Sequence, residues 1–265
     1  MRLALAITTY ERPDALAAVL ASVARQTAPP AEILIADDGS GEATRFVIDG
    51  FTRASFVPVR TVSQPHAGFR VARLRNLAIA ATTAEYIVFV DGDMLLHPEF
   101  IADHVRVARR GWFTQGIRAN ADAVLTRRLL DDPTLPVGPS TAGLGTLRRA
   151  YLLRAPALSP LVRRIGNGLI SVKSCNQGFW RRDLLRVNGF NEAFEGWGPE
   201  DKELCARLAH AEVRRQTLLF GGIAVHLDHP PAARNALAAN LAVLEETIKE
   251  RKVRCERGLN SHLLS

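Results

Sequence analysis

The sequence predicts an α/β fold with a parallel-type central sheet flanked by helices, and three observations predict it. Continuous apolar runs recur in "RLALAI" (2–7), "EILIADDGS" (32–40) and "EYIVFVDGD" (85–93). Such runs suit strands buried on both faces, as parallel strands are. Stretches of helical spacing stand between them, and the runs break at polar, acidic or Gly-containing residues that suit loops at one edge of a sheet.

The first run is a buried strand, and "PDALAAVLASVARQ" after it places Leu16, Val19, Leu20 and Val23 at helical spacing. "EILIADDGS" completes a strand–helix–strand unit. "VRTVSQ" (59–64) reads as a strand, "VARLRNLAIAAT" (71–82) as a helix and "EYIVFVDGD" as a strand. A helix-like "PEFIADHVRVARR" leads to a further strand, "GWFTQGI" (111–117), after which the regular alternation fades. Residues 131–168 are Pro- and Gly-rich and then basic, with Arg148, Arg149, Arg154, Arg163 and Arg164 among apolar residues. A solvated loop with a short surface helix and a flap or membrane-surface segment both suit that composition. Then come a strand "LISVKSCNQGFW", the turn "GFNEAFEGWG", a helix "PEDKELCARLAHA" and a strand "RRQTLLFGGIAVHL". From Ala232 the chain reads as one amphipathic helix with Leu237, Leu241, Leu244 and Ile248 on one face. The expected division is 1–118, a first half; 119–231, a second half that includes the flexible basic segment 131–168; and 232–265, the C-terminal helix, all within one domain.

Composition sets outer bounds. At 265 residues, 47% hydrophobic and 23% charged, the chain can bury a sizeable core. The net charge of +7 suits an anionic partner. No zinc-finger or aromatic RNA-binding signature accompanies that charge, so nucleic acid is not expected. Cys175, Cys205 and Cys255 are odd in number and widely spaced, which argues for a reducing compartment without a disulfide framework. The apolar run at the N-terminus is too short for a signal-peptide core and no run spans a bilayer, so the expected placement is cytoplasmic, with membrane contact at most peripheral.

Open α/β sheets bind ligands beyond the carboxyl ends of their strands, where Thr8, Tyr10, Asp37, Asp38, Asp91 and Asp93 would gather. In "DGD" two carboxylates leaving one strand can face a hard divalent cation while Gly92 admits close backbone approach. "FEGWGPEDKEL" (194–204) sets Glu200 and Asp201 at the mouth of a helix, where acids either cap the helix or do chemistry. Trp197 beside them could pack in the core or against the apolar face of a ligand. His226 and His229, at the end of the last strand, are candidates for a further metal ligand.

Four blocks in order carry a resemblance: "AITTYERPDALAAVLASVARQT", "EILIADDGSG", "QPHAGFRVARLRNLAIAATTAEYIVFVDGDM" and "NQGFWRRDLLRVNGFNEAFEGWGPEDKEL". They resemble the family 2 glycosyltransferases of the GT-A fold, in the bacterial polysaccharide and lipopolysaccharide branch whose C-terminal half is similar to galactosyltransferases. The resemblance implies a Rossmann-like, mixed but mostly parallel sheet and an inverting hexosyl transfer from a UDP-sugar to a glycan or lipid-linked glycan acceptor, with Mn²⁺ or Mg²⁺. It implies that Thr8 and Asp38, with Tyr10 and Asp37, hold the nucleotide, and that Arg75 approaches it. Asp91 lies near the ribose or metal, Asp93 binds metal, Asp201 is the base and Glu200 holds the acceptor beside Trp197. His226 matches the third metal ligand in the galactosyltransferase-like branch, leaving His229 to phosphate or to the turn.

Two rivals stand beside this reading. A sugar nucleotidyltransferase needs a Gly-rich loop after its first strand, and "TTYERPDA" has no Gly. A non-catalytic carbohydrate binder would not need Asp93 and Asp201 together with a third ligand.

Overall fold

The computed structural model describes residues 1–145, 149–150, 152–158, 169 and 172–263. Arg148, Arg163 and Arg164, and much of the basic segment, lie outside the described residues.

Strand β1 (Leu3–Thr9) leads through helix α1 (Pro13–Ala24) to β2 (Glu32–Asp37), then α2 (Glu42–Ala54), β3 (Val59–Ser63), α3 (Val71–Ala80) and β4 (Tyr86–Asp91). There follow β5 (Met94–Leu96), α4 (Phe100–Val107), β6 (Trp112–Gln115), β7 (Ala119–Asn120) and α5 (Ala123–Asp131). The second half contributes β8 (Asn176–Trp180), α6 (Arg181–Arg186), α7 (Glu200–His210), β9 (Arg214–Thr217), β10 (Ala224–His226) and α8 (Leu237–Lys249).

Seven strands form the main sheet in the order β3-β2-β1-β4-β8-β6-β9, and β5-β10-β7 form a small second sheet. β1 pairs in parallel with both β2 and β4, β8 runs antiparallel to β4 and β6, and β6 is parallel to β9. The strand order reverses between β1 and β4, which opens the ligand-binding crevice of an open α/β sheet at their carboxyl ends. Register sets Thr8 opposite Asp91 there.

Alternation along the strands divides the core. Ala4, Ala6, Ile87, Phe89 and Phe179 pack with α3 and α7 on one face, whereas Leu5, Ile7, Val88 and Val90 pack with α1 on the other. All seven residues of β1 are buried, which explains its unbroken apolar run. Each buried Leu, Ile, Val or Phe among them contributes about 1.5–3 kcal/mol of burial.

Three expectations are corrected. "RRQTLLFGGIAVHL" is two strands: β9 closes the main sheet and β10 joins the small one, because positive-φ Phe220 and Gly222 turn the chain between them. The C-terminal helix spans only Leu237–Lys249 and buries Asn240, Leu244 and Thr247, while Leu241 and Ile248 stay exposed; polar contacts rather than a leucine stripe dock it. Arg154 is turned inward to pair with Glu99 and Asp103 and so presents no free cation to lipid, while Arg149 donates to the Leu144 carbonyl. No described helix is long and apolar enough to cross a membrane.

Candidate functional site

The carboxyl ends of β1, β2 and β4, the start of β8 and the N-terminus of α7 surround a cleft of about 840 Å³, a size suited to a nucleotide-sugar. Thr8, Tyr10, Asp38, Arg75, Asp91, Asp93, Trp197, Glu200, Asp201, His226 and His229 all line it. Asp37 does not. Successive residues of a strand face opposite ways, and the Asp37 carboxylate instead accepts hydrogen bonds from the Ser40 amide and hydroxyl, fixing the turn after β2. That removes Asp37 from the expected donor-binding set.

Asp38 accepts from Gln64 Nε2 and lies 3.0 Å from His66 Nδ1, and the His66 ring stacks on Tyr10 at 4.1 Å and 9°. An aromatic face and a carboxylate thus meet at the end of β2. Gly92 lets the backbone pass close to β1: an added Cβ would lie 3.0 Å from the Thr8 carbonyl oxygen and from Thr9 Oγ1, which would have to give way.

Asp93, His226 and His229 each turn one ligand atom to a common point, all within 4.8 Å of one another. His229 Nε2 lies 3.2 Å and His226 Nε2 3.7 Å from Asp93 Oδ2. His229 Nδ1 lies 2.7 Å from the Pro230 carbonyl, a contact that orients the ring with Nε2 toward Asp93. Asp93 Oδ1 is buried without a hydrogen-bond partner. Burial acts to raise the Asp93 carboxyl, but the His229 hydrogen bond and the nearby His226, His229 and Arg12 charges outweigh it and hold the group below its usual range. Three N and O donors around an unsatisfied buried oxygen fit a divalent cation. Both histidines join the cluster. Asp91, also expected as a ligand, does not: its Oδ1 accepts from Thr8 Oγ1 at 3.0 Å and from Arg75 at 3.1 Å.

Arg75 is almost fully buried on α3. Its Nη1 donates to Glu200 Oε1 at 2.9 Å, and its Nη2 meets Asp91. The guanidinium also lies 5.3 Å from the centre of the Phe190 ring. Burial and the Asp201 charge push Glu200 up to about 7, outweighing the Arg75 pairing. Burial likewise raises Asp201, whose oxygens accept from the Ser174 amide at 3.0 Å and the Lys202 amide at 2.7 Å. Glu200 turns to Arg75 and Asp201 accepts from the Ser174 amide, so both acids make contacts outside their own helix.

The turn before them is held by α8. Asn240 Nδ2 donates to the Glu195 and Trp197 carbonyls at 3.0 and 3.2 Å, and Gly196 adopts φ +74°, which favours glycine. Arg234 lies 4.8 Å from the centre of the Trp197 ring. Trp197 therefore faces the cleft instead of the core.

Sequence reasoning missed Arg12, His66, Arg118, Cys175 and Arg234, which also line the cleft. His66 sits inside the quoted block "QPHAGFR" and was within reach. Arg118 carries no local motif; it arrives because β6 runs parallel to β4 and ends at the same edge.

Residues 4–164 match glycosyl transferase family 2, and residues 170–230 match the "N-terminal domain of galactosyltransferase" family. A validoxylamine A glucosyltransferase of Streptomyces hygroscopicus subsp. limoneus is 29% identical over 78% of this chain and 47% of its own length. The chondroitin synthase of Escherichia coli is 25% identical over 88% of this chain and 35% of its own. A hyaluronan synthase of Pasteurella multocida is 26% identical over 88% of this chain and 25% of its own. The chain thus spans between a quarter and about half the length of the curated relatives it matches. Among solved structures, S. aureus TarS 1-349 in complex with UDP superposes with a TM-score of 0.62 at 14% identity, covering 99% of this chain and 68% of that one. The mannosyltransferase PcManGT from Pyrobaculum calidifontis, in complex with GDP-Man and Mn²⁺, gives 0.59 at 17% identity, covering 94% and 64%.

Proposed function

The chain belongs to glycosyl transferase family 2 and has the GT-A fold, and from that premise we propose that it is a metal-dependent, inverting hexosyltransferase using a UDP-sugar. One observation carries the reading: a candidate metal cluster, Asp93, His226 and His229, and a carboxylate pair, Glu200 and Asp201, line one cleft.

Asp93, His226 and His229 would hold Mn²⁺ or Mg²⁺, which when bound supplies positive charge against the nucleoside diphosphate. Tyr10 and Asp38 receive the base, and Thr8 holds Asp91 toward the ribose. The Ser174 and Lys202 amides fix the Asp201 carboxylate, so it meets the acceptor in one orientation. Asp201 takes the acceptor hydroxyl proton as that oxygen bonds to the anomeric carbon. The bond from that carbon to the diphosphate oxygen breaks on the opposite face, its electron pair leaving with the diphosphate. Glu200 and Trp197 hold the acceptor sugar, its apolar face against the indole.

The acceptor we assign is a growing bacterial surface glycan, lipopolysaccharide or exopolysaccharide. The polysaccharide synthases among the relatives support a glycan, and the net charge of +7 supports peripheral contact with an anionic membrane at the inner face of the cell membrane. Flotation with anionic vesicles at low salt tests that contact; no binding overturns it.

The deciding experiment is hydrolysis of a panel of nucleotide-sugars with Mn²⁺ and with EDTA. Slow metal-dependent release of UDP from one donor, lost in Asp93→Ala and reduced roughly 10²–10⁴-fold in Asp201→Asn, is expected. No turnover, together with no metal-dependent nucleotide binding, would overturn the reading in favour of a non-catalytic binder.

A further inference from the structure

Transfer leaves negative charge on the departing diphosphate, and a cation of the chain should meet it. Arg75 is poorly placed for that task. Both its terminal nitrogens are engaged, by Glu200 at 2.9 Å and Asp91 at 3.1 Å, and it is 2% exposed. Arg12 lies 3.5 Å from Asp93, and Arg234 covers Trp197 on the acceptor side.

Arg118 differs from Arg75 and Arg12, which meet carboxylates, and from Arg234, which stacks on an indole. Among the described residues no carboxylate pairs with it, and its guanidinium makes a 3.5 Å contact from Nη1 to the Cys175 thiol. Its Nε is buried without a partner. A guanidinium carries five N–H donors, and a thiol is a weak acceptor, so this side chain holds unused donor capacity in a half-buried place. It lines the cleft together with Asp91, Asp93, Cys175 and His226, beside the metal cluster.

Strand order gives the direction of the ligand. Tyr10 and Asp38 follow β1 and β2, Asp93 follows β4, and Arg118 follows β6, beyond β8. A nucleotide whose base lies at β2 therefore runs its phosphates toward Arg118, and the phosphate farther from the base comes nearer.

Resting on the glycosyltransferase reading above, we propose that Arg118 is the binding residue for the β-phosphate of the nucleoside diphosphate. Its N–H groups donate to phosphate oxygens and strengthen that contact as the sugar–oxygen bond breaks and the electron pair passes to the diphosphate. Arg75 instead serves as a positioning residue between Asp91 and Glu200.

Calorimetry with UDP and UMP, and with GDP and GMP as a second pair, all with Mn²⁺, tests this on the full chain. Wild type should bind one diphosphate more tightly than its monophosphate. In Arg118→Met that preference should fall roughly tenfold to a hundredfold with monophosphate affinity unchanged, and Arg118→Lys should restore part of it. Binding of Mn²⁺ alone should not weaken and the melting temperature should not fall, and Cys175→Ala should keep the preference. An undiminished diphosphate preference in Arg118→Met overturns the assignment alone. So does equal loss for both nucleotides with a lowered melting temperature, which marks a structural arginine, or a Cys175→Ala variant that reproduces the loss. If wild type binds none of the nucleotides, the glycosyltransferase reading itself falls, and this assignment with it.

Discussion

Arg75 Nη1 donates to Glu200 Oε1 across 2.9 Å, joining two residues 125 positions apart in the chain. Since Nη2 of the same guanidinium meets Asp91, one buried cation ties the donor edge of the sheet to the acceptor helix. Removing it leaves Glu200 and Asp91 without their shared counter-charge. Arg75→Met should therefore destabilise the fold by about 3–5 kcal/mol, and adding Glu200→Gln should recover part of that loss. Urea unfolding of the two single variants and the double variant checks it; additive losses would show that the pair is not coupled.

The same pair governs pH dependence. Glu200 has a folded value of about 7 against its usual 4.5, and Asp201 is also raised. Between those values the folded chain keeps a proton that the unfolded chain has released. Stability present below about 4.5 is thus lost as pH rises through about 7. Urea midpoints of wild type should fall across that window relative to Glu200→Gln. If the two profiles run parallel, Glu200 is not the group responsible. Turnover has the opposite sign: because the acceptor proton needs an ionised base, kcat/KM should rise about tenfold per pH unit on its acid limb, and Glu200→Gln should move that limb to lower pH.

Two histidines stand with Asp93, so each should matter to the ion. His226→Ala and His229→Ala should each weaken Mn²⁺ binding by at least roughly tenfold, judged against the losses that even outer partners of metal ligands cause. Calorimetry with Mn²⁺ alone reads this without turnover. A His229→Ala variant with unchanged affinity would return His229 to the role of turn or phosphate contact.

Asn240 holds the turn that presents Trp197. Asn240→Leu strips the Glu195 and Trp197 carbonyls of their donor, at about 1–3 kcal/mol. It should raise the acceptor KM while leaving nucleotide affinity in place. Equal losses for donor and acceptor would mean that the helix supports the whole cleft.

The sequence by itself determined strands β1 to β4, their parallel character and the edge at which the acids collect, because each is written in local patterns: unbroken apolar runs, helical spacing, and "DGD" and "GWGPED" at element ends. It also located Asp93, Asp201 and the histidine pair. Only the tertiary structure decided which charges are free to act. Asp37 and Asp38 are neighbours in the chain, yet the alternation of a strand sends one to a turn and the other to the cleft. Asp91 and Asp93 share a motif, yet Asp91 is held by Arg75 and Thr8 while Asp93 keeps an unsatisfied oxygen. Arg75 looked available and is not, whereas Arg118 carried no motif and no carboxylate pairs with it among the described residues. A residue type and its spacing fix what chemistry a side chain can do. Whether it is left free to do it depends on partners that the fold brings from elsewhere in the chain, and on the burial that makes each pairing count.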